Sequence, residues 1–251
     1  MSVDGESTER PVAIITQCGS YVGPALARVL AASGHRLVLH GARDELLAAL
    51  AADGIEAIGA DGDLATEAGT KALVSLTLET FGRVDAACFV TGNISVGRFL
   101  GAERDQWELL KRANLDMVFW ALQAVLPPMV AAGRGQVIVF TSATGARPEP
   151  GVSLYSATRA GANALVRAVG LEHAADGVTV NAIGTNYMDF PGFLRATGAD
   201  DPVRRTKIEA QVPMNRLGTL GELAEFTAVL LDGRSRFQTG QFFSFSGGWS
   251  A

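Results

Sequence analysis

Residues Gln136–Arg167 read QVIVFTSATGARPEPGVSLYSATRAGANALVR and combine a strand, a loop and a helix. The β-branched run Val137–Phe140 is typical of a buried strand, and a pattern of small residues at helical spacing begins near Tyr155. Ser142 ends the strand, and Arg159 follows Tyr155 by one helical turn, so that these two side chains share a face of the helix. We therefore predict that a hydroxyl, a phenol and a guanidinium converge on one point.

Outside this stretch, short apolar strands alternate with helical patterns. This alternation predicts an α/β fold, with a doubly wound, seven-stranded, mostly parallel sheet and helices on both faces. One Rossmann-like domain over residues 1–251 is expected, with residues 1–10 as a flexible tail. The other predicted strands are Val12–Thr16, Arg36–His40, Glu56–Ala60, Val84–Val90, Val178–Ile183 and Gln241–Phe245. In the long predicted helix from Arg104 to Ala132, Pro127 and Pro128 are expected to cause a kink or an interruption.

The composition excludes several classes of protein. A net charge of −5 argues against nucleic acid or an anionic membrane as a partner. The three histidines and two cysteines form no cluster with the spacing of metal ligands, so no metal site is predicted. The first residues lack the apolar core of a signal peptide, and no apolar run is long enough to span a bilayer. We expect a soluble, cytoplasmic protein.

The order of these elements and several short motifs resemble the short-chain dehydrogenase/reductase superfamily over nearly the whole chain. The residues that carry the resemblance are Thr16–Gly23 after the first strand, Asp63-Leu64, Asn114, Ser142 with Tyr155, Asn181-Ala182-Ile183 and Gly240 with Gly247-Gly248.

Three departures from the superfamily pattern bear on the cofactor. The usual glycine-rich phosphate loop is replaced by Thr16-Gln17-Cys18-Gly19-Ser20-Tyr21-Val22-Gly23, in which Gln17 and Tyr21 add side chains where a dinucleotide needs space. Arg159 stands where a reductase has lysine. The Asn-Asn-Ala-Gly motif after the fourth strand is replaced by Phe89-Val90-Thr91-Gly92, and the Pro-Gly after the sixth by Thr185-Asn186. These departures indicate that no nucleotide cofactor is bound.

Two motifs together resemble the halohydrin dehalogenases. Thr16, Tyr21 and Gly23 match T-x4-(F/Y)-x-G, and Ser142, Tyr155 and Arg159 match S-x12-Y-x3-R. The resemblance implies a cofactor-independent carbon–halide lyase that converts vicinal halohydrins to epoxides with release of halide and a proton. In reverse, it implies that halide, azide, cyanide or nitrite opens the epoxide. Tyr155 would act as the base, Ser142 would hold the substrate oxygen, and Arg159 would stabilise the phenolate.

The halide would need backbone amides and a partly dry pocket. A nest of amides at Thr185–Met188 is the expected anion site, with Tyr21 closing the pocket. The predicted halide and substrate pocket therefore comprises Thr16, Tyr21, Thr185, Asn186, Tyr187, Met188, Phe190 and Phe193.

Two alternatives stay open. The chain could be an atypical NADP-dependent short-chain reductase that tolerates Gln17, Tyr21 and Arg159, or a binding protein without chemistry. Arg43 resembles a contact to the NADP phosphate, but we interpret it as a solvated charge. Small residues along the Tyr155 helix predict a homotetramer, as in relatives of this fold, and Trp249 could reach a neighbouring subunit.

Overall fold

The computed structural model describes residues 10–250. The tail predicted for residues 1–10 therefore lies outside the described residues, except for Arg10. The Arg10 guanidinium donates a hydrogen bond to the carbonyl oxygen of Gly34 and lies 3.8 Å from a carboxylate oxygen of Glu56.

Seven parallel strands form one sheet in the order β3-β2-β1-β4-β5-β6-β7. The predicted α/β fold is confirmed. Each strand is short and apolar, and the three central strands β1, β4 and β5 are buried along their whole length, as expected when helices cover both faces. The strands are β1 Val12–Ile15, β2 Arg36–His40, β3 Ala57–Ala60, β4 Ala86–Val90, β5 Gly135–Ser142, β6 Val178–Thr185 and β7 Phe242–Phe245.

The helices divide between the two faces of the sheet, and alternate side chains of each strand pack on opposite helix layers. Val12 and Ile14 point to the layer formed by α3, α5 and α6, whereas Ala13 and Ile15 point to the layer formed by α1, α2 and α9. The helices are α1 Gly23–Ala32, α2 Asp44–Ala52, α3 Glu67–Phe81, α4 Arg104–Lys111, α5 Met117–Ala131, α6 Ser153–Glu172, α7 Pro191–Thr197, α8 Pro202–Glu209 and α9 Leu220–Val229. No helix among these is long and apolar enough to cross a membrane.

The prediction for the long central helix is wrong in one respect. Pro127 and Pro128 lie inside α5 without interrupting it. They lie on the outer side of the helix, where carbonyl groups that lose an amide partner can still bond to water, while Val125 and Met129 pack against the sheet. The irregularity lies instead at Arg112–Asp116, a π-helical turn that joins α4 to α5. Such turns are often found at functional sites.

At the amino-terminal edge of the sheet, Asp85 joins three segments of the chain. Its carboxylate accepts hydrogen bonds from the Val12 amide (2.9 Å), from Arg83 (2.7 Å) and from Arg134 (3.0 Å). Burial by itself raises the pKa of this carboxyl, but the hydrogen bonds from Arg83, Val12 and Arg134 outweigh it and lower the pKa below its ordinary value of 3.8.

We predict that Asp85→Asn lowers the free energy of unfolding by about 2 kcal/mol at pH 7, because it weakens a largely buried set of charged hydrogen bonds. Since the folded-state pKa is lowered, this stabilisation is present above the unfolded-state pKa and is lost as the pH falls through the folded-state pKa. Urea denaturation at pH 7 and at successively lower pH measures the difference.

The matched control is Asp53→Asn, because the Arg28–Asp53 pair is exposed and 3.8 Å apart. It should change the stability by less than about 0.5 kcal/mol. An equal effect of the two substitutions would contradict the role assigned to Asp85.

Candidate functional site

The predicted catalytic residues lie at the carboxyl ends of the strands, where ligands bind in sheets of this kind. Ser142 is the last residue of β5 and caps the 3₁₀ turn Ala143–Gly145, since its hydroxyl accepts a hydrogen bond from the amide of Thr144 (3.2 Å). Helix α6, which carries Tyr155 and Arg159, packs directly on this turn. Glycine is needed at position 145, because a Cβ there would lie 2.7 Å from the side-chain amide of Asn163 on α6.

Arg159 and Tyr155 lie together on α6. The guanidinium carbon of Arg159 is 5.1 Å from the centre of the Tyr155 ring, the distance of a cation–π contact. Arg159 is buried, at 3% exposure, whereas Tyr155 is half-buried and open to a ligand. The positive charge thus lies beneath the phenol ring and away from solvent.

The Ser142 hydroxyl has one hydroxyl and one carbonyl oxygen nearby. Its Oγ is 3.0 Å from the Oγ1 of Thr144 and 3.5 Å from the carbonyl oxygen of Thr185, which lies opposite Ser142 in the β5–β6 ladder. Because the hydroxyl proton can turn away from these contacts, Ser142 can donate a hydrogen bond to a substrate oxygen.

Tyr21, in the loop after β1, reaches across the carboxyl ends of the strands to β6. Its hydroxyl donates a hydrogen bond of 2.8 Å to the Oγ1 of Thr185, and its ring meets the edge of Phe190 with centres 4.8 Å apart. Burial raises the pKa of Tyr21 well above its ordinary value, against the hydrogen bond to Thr185, and the charges of Tyr155 and Arg159 are close enough to affect it. Tyr21 therefore stays protonated and adjoins the same site.

The remaining residues of the predicted pocket have different roles. Thr16 is fully buried, and its hydroxyl both donates to the Val90 carbonyl (3.1 Å) and accepts from the Val90 amide (2.8 Å), so that it joins β1 to β4 instead of lining a pocket. Met188 is buried in a bridge with Gly218.

An aromatic wall continues the site outward from Phe190. Phe190 lies beside Phe193, with ring centres 6.4 Å apart. Tyr187, with a left-handed φ of 55°, contacts Phe193 (5.9 Å) and Trp249 (5.8 Å). Trp249 is almost fully buried in its own chain and carries the Arg147 guanidinium over its ring at 4.6 Å. It therefore packs within this subunit.

The amides expected to form an anion nest already have partners. The amide of Asn186 donates to the Phe245 carbonyl (3.4 Å), and the amide of Tyr187 donates to the side-chain oxygen of Asn186 (2.9 Å). Two amides of the Thr185–Met188 turn thus donate inside the chain, and the anion site at this turn stays a prediction.

The loop after β1 has a left-handed backbone at two positions although glycine is replaced there. Gln17 and Tyr21 stand at two positions where the superfamily has glycine, and both take a left-handed φ of 52°. At Gly23 a Cβ would lie 2.7 Å from the Cα of Cys18, and at Gly19 it would lie 2.7 Å from the carbonyl oxygen of Gly41. The loop is therefore packed tightly on the start of α1 and the end of β2.

Comparison with known proteins defines the class of this fold and site. A family model described as enoyl-(acyl carrier protein) reductase matches residues 20–250. The chain is 33% identical to a ketoacyl reductase assigned to the monensin polyketide synthase of Streptomyces virginiae, over 97% of the chain and 98% of that protein. It is 31% identical to a 3-oxoacyl-[acyl-carrier-protein] reductase of Synechocystis sp., over 94% of the chain and 96% of that protein.

A solved structure, that of levodione reductase, superposes with a TM-score of 0.87 at 29% identity and covers 96% of this chain and 97% of its own. The chain belongs to the short-chain dehydrogenase/reductase superfamily. Membership of the halohydrin dehalogenases is not shown by these matches.

The expectation of a cofactor-independent carbon–halide lyase is wrong by these comparisons. The relatives that match the chain over nearly its whole length are named as reductases and dehydrogenases, which points to an NAD(P)-dependent reductase. The two short motifs and Arg159 do not outweigh the similarity to reductases over the whole chain.

The superfamily implies a nicotinamide nucleotide, and the residues after β1 and β2 fit its adenosine end. The loop at Gly19 and the N-terminus of α1 offer backbone amides to a pyrophosphate. Arg43 is exposed beside Gly19 and makes no salt bridge with a described carboxylate, so it is free to meet a 2′-phosphate. At the nicotinamide end, the side chain of Tyr21 occupies the crevice and is held by a hydrogen bond to Thr185 and ring contacts with Phe140 and Phe190.

The two cysteines lie in the core beside this loop. Cys18 and Cys88 are both fully buried, and burial raises the pKa of Cys18 to about 12 and that of Cys88 well above its ordinary value. A thiol that stays protonated is a poor nucleophile, so neither cysteine is a candidate for catalysis.

We predict that neither cysteine of the native protein reacts with iodoacetamide at pH 8, because the thiolate population is negligible and the reagent cannot reach the sulfur atoms. In denaturing urea both should react. Mass spectrometry of intact protein counts the adducts. Rapid labelling of the native chain would contradict the buried, protonated state.

Proposed function

We propose that the chain is an atypical NADP(H)-dependent short-chain reductase that interconverts a carbonyl group and a hydroxyl group. The observation that carries the proposal is the end-to-end match to reductases of a chain that keeps Ser142 and Tyr155 at the strand-end site. Arg43 favours the 2′-phosphorylated nucleotide. The chain also shares two short motifs with the halohydrin dehalogenases. Membership of that subgroup stays a prediction about ancestry, and we propose no activity from it.

In this proposal each residue of the site handles the substrate oxygen. When bound, the nicotinamide nucleotide supplies or accepts the hydride. Ser142 hydrogen-bonds the carbonyl oxygen and positions it, and Tyr155 donates a proton to that oxygen as the alcohol forms. Arg159 is permanently charged and stabilises the phenolate that is left. Gly19, Arg43 and the N-terminus of α1 hold the adenosine and phosphate groups.

Tyr21 should weaken nucleotide binding without preventing it. Its hydrogen bond to Thr185 and its ring contacts with Phe190 and Phe140 together contribute on the order of 2 kcal/mol, which is the cost of displacing the side chain. This energy corresponds to a roughly 30-fold loss of affinity. The aromatic wall formed by Phe190, Phe193, Tyr187 and Trp249 gives the substrate an apolar surface.

We predict that NADPH binds the native protein. Tyr21→Gly should lower the Kd for NADPH by about 10- to 30-fold, because glycine has no side chain that the nucleotide must displace. Tyr21→Gly also relieves the left-handed backbone strain. Titration of NADPH fluorescence measures the affinity, and NADH serves as the comparison nucleotide. Arg43→Ala should weaken NADPH binding and leave NADH binding unchanged.

Turnover is tested with a panel of ketones and 3-oxoacyl thioesters. Tyr155→Phe should abolish reduction while nucleotide binding persists. Absence of nucleotide binding in both the native protein and Tyr21→Gly would overturn the reductase proposal and leave Ser142 and Tyr155 as an acid–base site that works without a nucleotide.

We also propose that the protein is cytoplasmic and forms a homotetramer through α5 and α6. On α6, Ala157, Ala164 and Ala168 are exposed, and small side chains allow close approach of a second helix. Exposed aromatic side chains lie nearby on α4 and α5, at Trp107 (37% exposed) and Phe119 (41%). An apolar surface of this kind supports self-association.

We predict that light scattering after gel filtration gives four times the chain mass, and that Ala164→Arg gives a smaller species because a bulky charge cannot be buried between helices. Ala52→Arg, on the exposed end of α2, is the control and should leave the mass unchanged. An unchanged mass for Ala164→Arg would argue against this interface.

A further inference from the structure

Arg159 is a buried cation that has no carboxylate partner among the described residues. Its guanidinium is almost completely enclosed, and no described Asp or Glu oxygen lies within 4.0 Å of it. A buried charge is costly unless hydrogen bonds satisfy it. What holds Arg159 therefore decides where the positive charge of the site lies.

Thr91, the residue after β4, supplies the two short contacts. The Nη1 of Arg159 donates to the side-chain oxygen of Thr91 at 2.6 Å, and the Nη2 donates to the main-chain oxygen of Thr91 at 2.7 Å. A third and longer contact runs from Nη1 to the carbonyl oxygen of Phe140 at 3.4 Å. Thr91 thus accepts a hydrogen bond from each terminal nitrogen of the guanidinium.

The direction of the Thr91 hydroxyl is fixed. Its proton is donated to the carbonyl oxygen of Phe140 on β5, at 2.8 Å. Because a guanidinium has no acceptor, the Thr91 oxygen can meet Arg159 only with a lone pair. The hydroxyl therefore accepts from Arg159 while it is anchored to the neighbouring strand.

The backbone around Thr91 is held in place by the π-helical turn before α5. The side chain of Asn114, in that turn, accepts from the amide of Asn93 (2.9 Å) and donates to the carbonyl oxygen of Asn93 (3.0 Å). Gly92, between Thr91 and Asn93, has a φ of 109°, and a Cβ there would collide with the guanidinium of Arg159 and the side-chain oxygen of Asn114. Only glycine permits this close approach.

We propose that Thr91 is a positioning residue that locks the guanidinium of Arg159 beside the ring of Tyr155. The Nε of Arg159 has no hydrogen-bond partner, so the lock acts at the far end of the side chain, through the two terminal nitrogens. With Thr91 in place, the charge is fixed 5.1 Å from the Tyr155 ring centre. Without the hydroxyl, Nη1 keeps only its long contact to the carbonyl oxygen of Phe140, so that end of the guanidinium is held less firmly beside the phenol.

Two substitutions separate this role from simple packing. Thr91→Val keeps the shape of the side chain and removes the hydroxyl, whereas Thr91→Ser keeps the hydroxyl and removes a methyl group. If Thr91 positions Arg159, then Thr91→Val, which lacks the hydroxyl, should change the guanidinium and the activity, and Thr91→Ser should not. A loss that came only from packing would instead appear in Thr91→Ser, which lacks the methyl group.

The first measurement needs no substrate or nucleotide. Nitrogen NMR of the Arg159 side chain, assigned by the loss of its signals in Arg159→Lys, should show a guanidinium with restricted rotation and distinct Nη signals in the native protein and in Thr91→Ser. In Thr91→Val the Nη1 group should rotate faster than in the native protein, with the backbone spectrum otherwise preserved. An unchanged rotation rate of Nη1 in folded Thr91→Val would overturn the proposal.

The second measurement rests on the proposed reductase function. In steady-state turnover, Thr91→Val should lower kcat by about 10-fold or more with KM within about 2-fold, because the lost contact supports proton transfer more than substrate binding. Thr91→Ser should restore most of kcat. If the native protein shows no turnover, the reductase proposal fails while the NMR result still decides the role of Thr91. Equal activity of the Val and Ser variants would overturn the positioning role.

Discussion

The buried guanidinium of Arg159 is the constraint on which the site depends. It reaches from α6 across the carboxyl ends of β4 and β5, and its hydrogen bonds to Thr91 and Phe140 tie the helix to both strands. A permanent charge in the interior is tolerable only where several oxygen atoms face it. The requirement for glycine at position 92 and the bonds made by Asn114 are parts of the same arrangement.

The second constraint is the contact between Tyr21 and Thr185 over the mouth of the sheet. It joins the loop after β1 to the end of β6, and it divides the family's nucleotide crevice into two unlike halves. The half next to β2 keeps the tight backbone at Gly19 and a free cation at Arg43. The other half is closed by the side chain of Tyr21, which one hydrogen bond and two ring contacts hold. The chain is therefore related to the reductases although its phosphate loop differs from theirs.

Much of the fold was predictable because it depends on local patterns. The apolar runs and the small-residue helix at Tyr155 gave the seven strands and the order of the helices, since strands and helices differ in hydrophobic period. Pro127 and Pro128 misled because their cost depends on which carbonyl groups they expose to water. The partner of the Asn186 amide comes from β7, far along the chain, so local sequence could not indicate it.

The function of the site was harder to predict than its residues. The sequence motifs at Ser142, Tyr155 and Arg159 identified three side chains of one strand-end site, but short motifs could not outweigh the similarity of the whole chain to reductases. Thr91 appeared in the sequence only as a departure from an expected motif. Nothing in its local pattern indicated that its hydroxyl would meet a guanidinium from α6.

By itself the sequence determined the parallel sheet, the two helix layers and the set of polar residues at the strand ends, because hydrophobic periodicity and chain connectivity act locally. Tertiary structure alone decided which of those polar groups were already satisfied. Thr16 is bonded within the sheet and Asn186 within its turn, whereas Arg159 depends on Thr91. Hydrogen-bond partners distant in sequence fix these outcomes, since every buried donor must find an acceptor in the folded chain.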